Sequence, residues 1–143
     1  MIEVEHTITI GKPVEAVFDY CCDPEKGPDW QEDIVSVKAD DLPLKEGSRY
    51  TETRKFMGRD MNTTLEVTAM ERPNRFAMKA IDGPVPYELE VTLEAEGQST
   101  KMRTAIQGEP GGFFKLAAGM VAKQLKESLT KDNEKLKTIL ETG

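Results

Sequence analysis

Residues 85–112 read VPYELEVTLEAEGQSTKMRTAIQGEPGG, and the fold turns on them. Tyr87, Leu89, Val91 and Leu93 alternate with Glu88, Glu90, Thr92 and Glu94, which puts an apolar row on one face of a strand and a mainly acidic row on the other. Beyond Gly97, Met102, Thr104 and Ile106 continue the apolar row on a second strand. The pair therefore belongs to an antiparallel sheet with one dry face and one wet face. Past Gly108-Glu109-Pro110-Gly111-Gly112 the hydrophobic period changes from 2 to 3.6. Residues 113–141 read as one long helix, with Phe113, Ala117, Met120, Val121, Leu125, Leu129, Leu136 and Leu140 along one stripe. A one-sided sheet followed by a one-sided helix has a ready solution, in which each covers the other.

Upstream the same alternation recurs. Segments 31–39, 48–57, 60–71 and 75–81 read as strands, joining those at 85–95 and 99–107. Asp40-Asp41…Pro43, Gly58, Arg72-Pro73-Asn74 and Asp82-Gly83-Pro84 separate them, and connections this short imply consecutive antiparallel neighbours. At the N-terminus Ile2, Val4, His6, Ile8 and Ile10 share one face of a further strand. Gly11-Lys12-Pro13 breaks it, and Val14, Val17, Phe18 and Cys21 follow at helical spacing. Asp23-Pro24 caps and starts another turn or two, closed by Gly27-Pro28 ahead of Trp30, the sole tryptophan. The order is strand, two short helices, six strands, long helix. It reads as an α+β fold, a strongly twisted seven-stranded antiparallel sheet curled around the C-terminal helix. A curved sheet and a straight helix cannot touch along their whole length, so this shape favours a cavity between them.

Composition narrows the function classes. The chain has 143 residues, 38% hydrophobic and 31% charged, and its formal net charge is −7. One domain spanning 1–143 is the default for this length, with no repeat or linker to divide it. The net charge is −6 over residues 1–60 and −1 over 61–143, so neither half offers the basic surface of a nucleic-acid binder. The longest apolar run, seven residues at Leu116–Ala122, is far short of a spanning helix, and no stable membrane insertion is expected. Lys115, Lys123, Lys126, Lys131, Lys135 and Lys137 alternate with Glu127, Asp132, Glu134 and Glu141 as on the solvated face of an amphipathic helix. The N-terminus lacks the pattern of a secretory signal, and the adjacent Cys21 and Cys22 cannot build a disulfide framework; the expectation is a cytoplasmic protein.

Metal and nucleophile constellations are missing. One histidine and two adjacent cysteines do not make a zinc site, and Asp23, Glu25, Asp29, Glu32 and Asp33 lack the register of a calcium loop. None of the four serines sits in G-x-S-x-G, and a thiol enzyme would need Cys21 or Cys22 beside His6 and an orienting third group. Pro110-Gly111-Gly112 reads as a tight turn into the helix rather than an anion cradle. No metal and no organic cofactor is implied.

The segment richest in chemistry is Tyr50-Thr51-Glu52-Thr53-Arg54-Lys55-Phe56. If the aromatics Tyr50 and Phe56 choose the inner side, Glu52 and Arg54 share it, and a charged pair there must be hydrogen-bonded or wet. If the strand is bulged or lies near an open mouth, both charges are exposed. Both readings stand at this point. The first makes Arg54, with Glu52 and Tyr50, the polar end of a pocket that orients a carboxylate, enol or phenol. His6, on the apolar face of its strand, reads as a hydrogen-bonded core or rim residue, or as a polar group or proton donor of the pocket. Parity places Met61, Thr63, Leu65, Phe76 and Met78, then Tyr87, Leu89, Met102 and Thr104, on the inner wall. Phe113, Phe114, Leu116, Ala117 and Met120 on the helix would form the lid, and Trp30 either anchors the short helices or adds to the wall.

Taken together the motifs resemble a known group. Ile8-Thr9-Ile10-Gly11-Lys12-Pro13-Val14-Glu15-Ala16-Val17-Phe18 resembles the opening of the START-like (SRPBCC) superfamily, and of its polyketide cyclase/dehydrase-like group in particular. Asp23-Pro24…Trp30, Gly47-Ser48-Arg49-Tyr50, Met57-Gly58-Arg59, Val67-Thr68…Glu71-Arg72-Pro73 and Gly83-Pro84 continue the resemblance, as does the helix ending at Leu136…Leu140-Glu141. It covers essentially the whole chain and implies the helix-grip fold. The superfamily spans lipid carriers, polyketide cyclases, hormone receptors, plant allergens and chaperone activators, so fold-level analogy implies a pocket rather than a chemistry.

Three functions follow as expectations. The first is binding or transport of a small hydrophobic molecule, lipid, aromatic polyketide or quinone-like. The second is a cofactor-independent cyclase or dehydratase in which Arg54 stabilises an enolate while Tyr50, Glu52 or His6 moves protons. The third is a protein-interaction module, which predicts a filled core. A monomer or weak homodimer is expected.

Overall fold

The computed structural model describes residues 2–39, 42–56, 58–109 and 118–142, Phe56 by its backbone alone. Strand β1 (Ile2–Ile10) leads into α1 (Val14–Cys21), a 3₁₀ turn (Pro24–Lys26) and α2 (Gly27–Trp30). Strands β2 (Ile34–Ala39), β3 (Arg49–Phe56), β4 (Arg59–Glu71), β5 (Arg75–Asp82), β6 (Tyr87–Glu96) and β7 (Ser99–Gly108) follow, and helix α3 (Ala118–Thr142) comes last. The sheet runs β1-β7-β6-β5-β4-β3-β2, each pair antiparallel. The meander expected from the short turns is therefore continuous from β2 to β7. β1 returns against β7, with His6 opposite Thr104 and Ile8 opposite Met102. This curved seven-stranded sheet with a long C-terminal helix is the helix-grip fold.

Two local expectations are corrected. The strand expected from residue 31 begins at Ile34, because the Gln31 N–H bonds to the Gly27 carbonyl at 2.8 Å and the Ile34 N–H to the Gln31 carbonyl at 3.1 Å. Those bonds hold 31–33 in a turn. Gly27-Pro28 does not close the preceding turn but opens α2, since Gly27 is helical in backbone and Pro28 suits a first helical position. The Asp23 cap stands as read, its carboxylate accepting the Glu25 N–H at 3.0 Å.

The core gathers Ile10, Val17, Phe18, Leu65, Val67, Phe76, Met102 and Leu136, each at most 3% exposed. Phe18 of α1 meets Phe76 of β5 edge to face at 5.6 Å, fixing α1 against the sheet. On α3, Val121 packs toward Ile2 and Val4 of β1, and Leu136 reaches the main core. Met120, expected on the same stripe, is 64% exposed: it precedes Val121 by one residue, about 100° around the helix, and turns to solvent. Asp132 and Asn133, 7% and 1% exposed, take inward positions between Leu129 and Leu136, so Asp132 does not belong to the solvated face. Lys126 and Lys137, expected on that face, donate to the Glu5 and Thr9 carbonyls and tie α3 to the edge strand β1. The start of the long helix and the turn at 110–112 lie outside the described residues.

Candidate ligand cavity

The helix does not lie flush on the sheet. A cavity of about 200 Å³ remains between the concave face, the α1–α2 segment and α3. Its sheet wall carries Met61, Leu65, Phe76, Met78, Tyr87, Leu89, Met102 and Thr104, as parity predicts. Val91 and Ile106 belong to the same face and complete it. Val121, Leu125, Ser128, Leu129 and Asp132 line it from α3, and Cys21, Cys22, Trp30 and Gln31 close the end nearest α2.

β3 carries the polar end. Tyr50, Glu52 and Arg54 alternate inward opposite Leu65, Thr63 and Met61 of β4. Of the two readings of this strand, the structure holds the interior one. The Glu52 side chain is 6% exposed and that of Arg54 24%. Such a pair persists in an apolar setting because its charges are mutual and its hydrogen bonds are made. Arg54 Nε donates to Glu52 Oε1 at 3.3 Å and Nη2 donates to Gln31 Oε1 at 2.6 Å. The Tyr50 hydroxyl donates to Met78 Sδ at 3.0 Å, a weak acceptor. Burial, followed by the nearby Glu52 carboxylate, pushes the Tyr50 hydroxyl well above its usual range. Tyr87 is shifted upward for the same two reasons, so both hydroxyls remain protonated donors at neutral pH. Among the described residues the Tyr87 hydroxyl has no hydrogen-bond partner.

Asp132 faces this cluster from α3. Its Oδ1 accepts the Glu32 N–H at 3.3 Å, which clips the helix to the loop before β2. Burial raises its carboxyl to about 6, against the opposing pull of that hydrogen bond and of Arg54. The two cysteines, at the end of α1, also form part of the wall. Burial lifts the Cys22 thiol to about 11 and the Cys21 thiol well above its usual range, so both stand as neutral thiols rather than nucleophiles. Trp30 serves both purposes proposed for it: it is 8% exposed, packs in the core and lines the cavity, while its buried Nε1–H has no partner among the described residues.

Several expected site residues lie elsewhere. His6 does not line the cavity; its Nδ1 is 2.9 Å from Asn133 Nδ2, so it joins β1 to α3 as a rim residue. Burial and Lys126 lower its pKa, which favours the neutral ring in that contact. Thr63 is 3% exposed but lies under the β5–β6 turn, where a Cβ on Gly83 would stand 3.0 Å from its hydroxyl. Met120 points to solvent. Phe113, Phe114, Leu116 and Ala117 lie outside the described residues, as does the Phe56 side chain. Asp132, Gln31, Cys21 and Cys22 are additions that the sequence reading does not supply. Asp132 has a legible signal, the gap between Leu129 and Leu136 in an otherwise regular stripe. Gln31 has none, since its role comes from a turn that aims it across the end of the sheet.

Among the described residues no group of three or more His, Cys, Asp or Glu is placed to hold a metal ion, and no helix is long and apolar enough to cross a membrane.

The family described as polyketide cyclase/dehydrase and lipid transport matches residues 1–141. The chain belongs to that family. No curated protein matches it in sequence. Among solved structures, a protein from Thermus thermophilus is similar with a TM-score of 0.82 at 20% identity, over 95% of this chain and 94% of that one. A START superfamily protein from Mycobacterium smegmatis gives 0.69 at 17% identity, over 90% and 94%. The ginseng major latex-like protein 151 from Panax ginseng gives 0.75 at 13% identity, over 95% of each chain. Identities this low carry the fold and leave the ligand to be argued from the cavity.

Proposed function

We propose that this chain binds a small hydrophobic molecule in the cavity between sheet and α3, as a carrier or receptor. The observation that carries the reading is the cavity itself, whose wall is mostly apolar and includes the polar side chains of Tyr50, Glu52, Arg54, Tyr87 and Asp132. A few polar groups at one end of an apolar chamber are what an oriented ligand requires. A cavity of about 150 Å³ accommodates benzene, so about 200 Å³ suits a substituted ring. The methionines Met61, Met78 and Met102 make part of this wall deformable and tolerant of shape.

Native mass spectrometry of the purified protein, followed by denaturation and identification of what is released, tests the proposal. A stoichiometric hydrophobic molecule supports it. A clean apo mass that resists loading by a panel of lipids and phenols would overturn it, and would favour the interaction module, whose filled core the cavity argues against.

A second reading, cyclase- or dehydratase-type catalysis, draws on the Tyr87 hydroxyl, which lines the cavity near the Glu52–Arg54 pair. In that mechanism Tyr87 or Tyr50 donates a proton or hydrogen bond to a substrate carbonyl, and Arg54 stabilises the charge that develops. His6 has no part in it. Turnover of a poly-β-carbonyl substrate that is lost in Tyr87→Phe and Arg54→Ala would distinguish the enzyme from the carrier.

A further inference from the structure

We infer that the cavity discriminates its ligands by the sign of their charge, taking neutral or amine-bearing rings and rejecting carboxylates, with Asp132 as the determining residue. This rests on the ligand-binding reading above and names the ligand class of the same site.

Among the described residues the charged side chains on the cavity wall are Asp23, Glu52, Asp132 and Arg54, three acids against one base. The base is already committed. Arg54 Nε is 3.3 Å from Glu52 and its Nη2 donates to Gln31 at 2.6 Å, so the charge a ligand carboxylate would meet there is already balanced by a buried counter-ion. Outside, an acidic depression adjoins the cavity across Ser128 and Asp132, and contains Glu32, Asp33 and Glu127. Among the described residues its one lysine, Lys131, is paired with Glu32 at 3.2 Å. An anion beside Asp132 therefore meets like charge on both sides, in surroundings that screen it poorly. A neutral hydroxyl can donate to the carboxylates or accept from Tyr87. An ammonium group finds in Asp132 a counter-ion whose described hydrogen bond is the single long one from Glu32 N–H.

Desolvation alone disfavours any ion in an apolar cavity, so neutral against anionic binding is not a sufficient test. The informative comparison is between two ions of opposite sign on the same ring. Isothermal titration with 4-ethylphenol, 4-ethylbenzylamine and 4-ethylbenzoate at about pH 8 keeps Asp132 and the benzoate ionised and the amine largely protonated. The expected order is phenol at least as tight as benzylammonium, with benzoate weaker than benzylammonium by about tenfold or more. Asp132→Asn, nearly isosteric and checked for folding by urea titration, should reduce the difference between the two ions to about threefold or less. Benzoate binding as tightly as benzylammonium, or an unchanged difference in Asp132→Asn, overturns the inference. Failure of all three probes, with the protein folded, rejects ligand binding in this cavity and the inference with it.

Discussion

Arg54 Nε lies 3.3 Å from Glu52 Oε1, two residues away on the same inward face of β3, on the wall of a mostly apolar chamber. Each charge makes the other tenable. Removing one partner leaves an uncompensated buried charge, which is the costly event in such pairs. Arg54→Met should therefore destabilise the fold by about 3 kcal/mol, whereas Arg54→Met combined with Glu52→Gln should cost clearly less. Urea unfolding of the two single variants and of the double variant measures this. A double variant as unstable as the sum of its singles would show that the pair is not coupled.

Packing around the cavity should be uneven. Leu136 is 0% exposed in the closed core, whereas Leu125 is partly buried and borders the cavity. Leu136→Ala is expected to cost about 3 kcal/mol and Leu125→Ala about 1 kcal/mol, because the second removes fewer contacts. Equal losses in chemical denaturation would indicate that α3 is packed flush on the sheet.

Asp132 gives stability a pH dependence of definite sign. Its carboxyl is raised in the folded protein to about 6, so folding favours its protonated form. The stability it contributes is complete below the ordinary carboxylate range and is lost as pH rises through about 6. Asp132→Asn should flatten the stability profile between the ordinary carboxylate range and about pH 6. An equally steep profile in the variant would assign the effect to another group.

The thiols should be unreactive. With Cys22 raised to about 11 and Cys21 also raised, alkylation by iodoacetamide near neutral pH should run about two to three orders of magnitude slower than for a free thiol. Intact-mass time courses read the rate directly. Labelling as fast as that of glutathione would contradict the burial described for them.

Tyr87→Phe separates orientation from capacity. Loss of the unpartnered hydroxyl should weaken a phenol or ketone ligand by about five- to tenfold, with little effect on an alkylbenzene or on stability. Titration calorimetry with matched ligands tests this; equal losses for both would point to a packing role.

The strands, their order and the apolar wall are legible in the sequence because the side-chain period of 2 reports the sheet's dry face directly. Leu65, Met78 and Leu89 follow from parity alone. What parity cannot decide is whether Glu52 and Arg54 are inside, since that depends on Gln31 arriving from another element to hold the guanidinium. Met120 is misplaced by the helical period because a broad stripe leaves an uncertainty of one residue at its margin. His6 satisfies the pattern of an inward residue, but its partner, Asn133, lies 127 positions away, a pairing that local sequence does not reveal. Asp132 looks solvated in the sequence because its charge outweighs its place in the stripe.

Trp30 supplies the most direct test, because the chain's one tryptophan stands on the cavity wall. Titration of its fluorescence with 4-ethylphenol should give a saturable change with one site per chain. That change should be lost in Val91→Phe, which fills the space between β6 and α3. A folded protein whose Trp30 emission does not respond to 4-ethylphenol, or responds equally in Val91→Phe, would contradict ligand binding in this cavity.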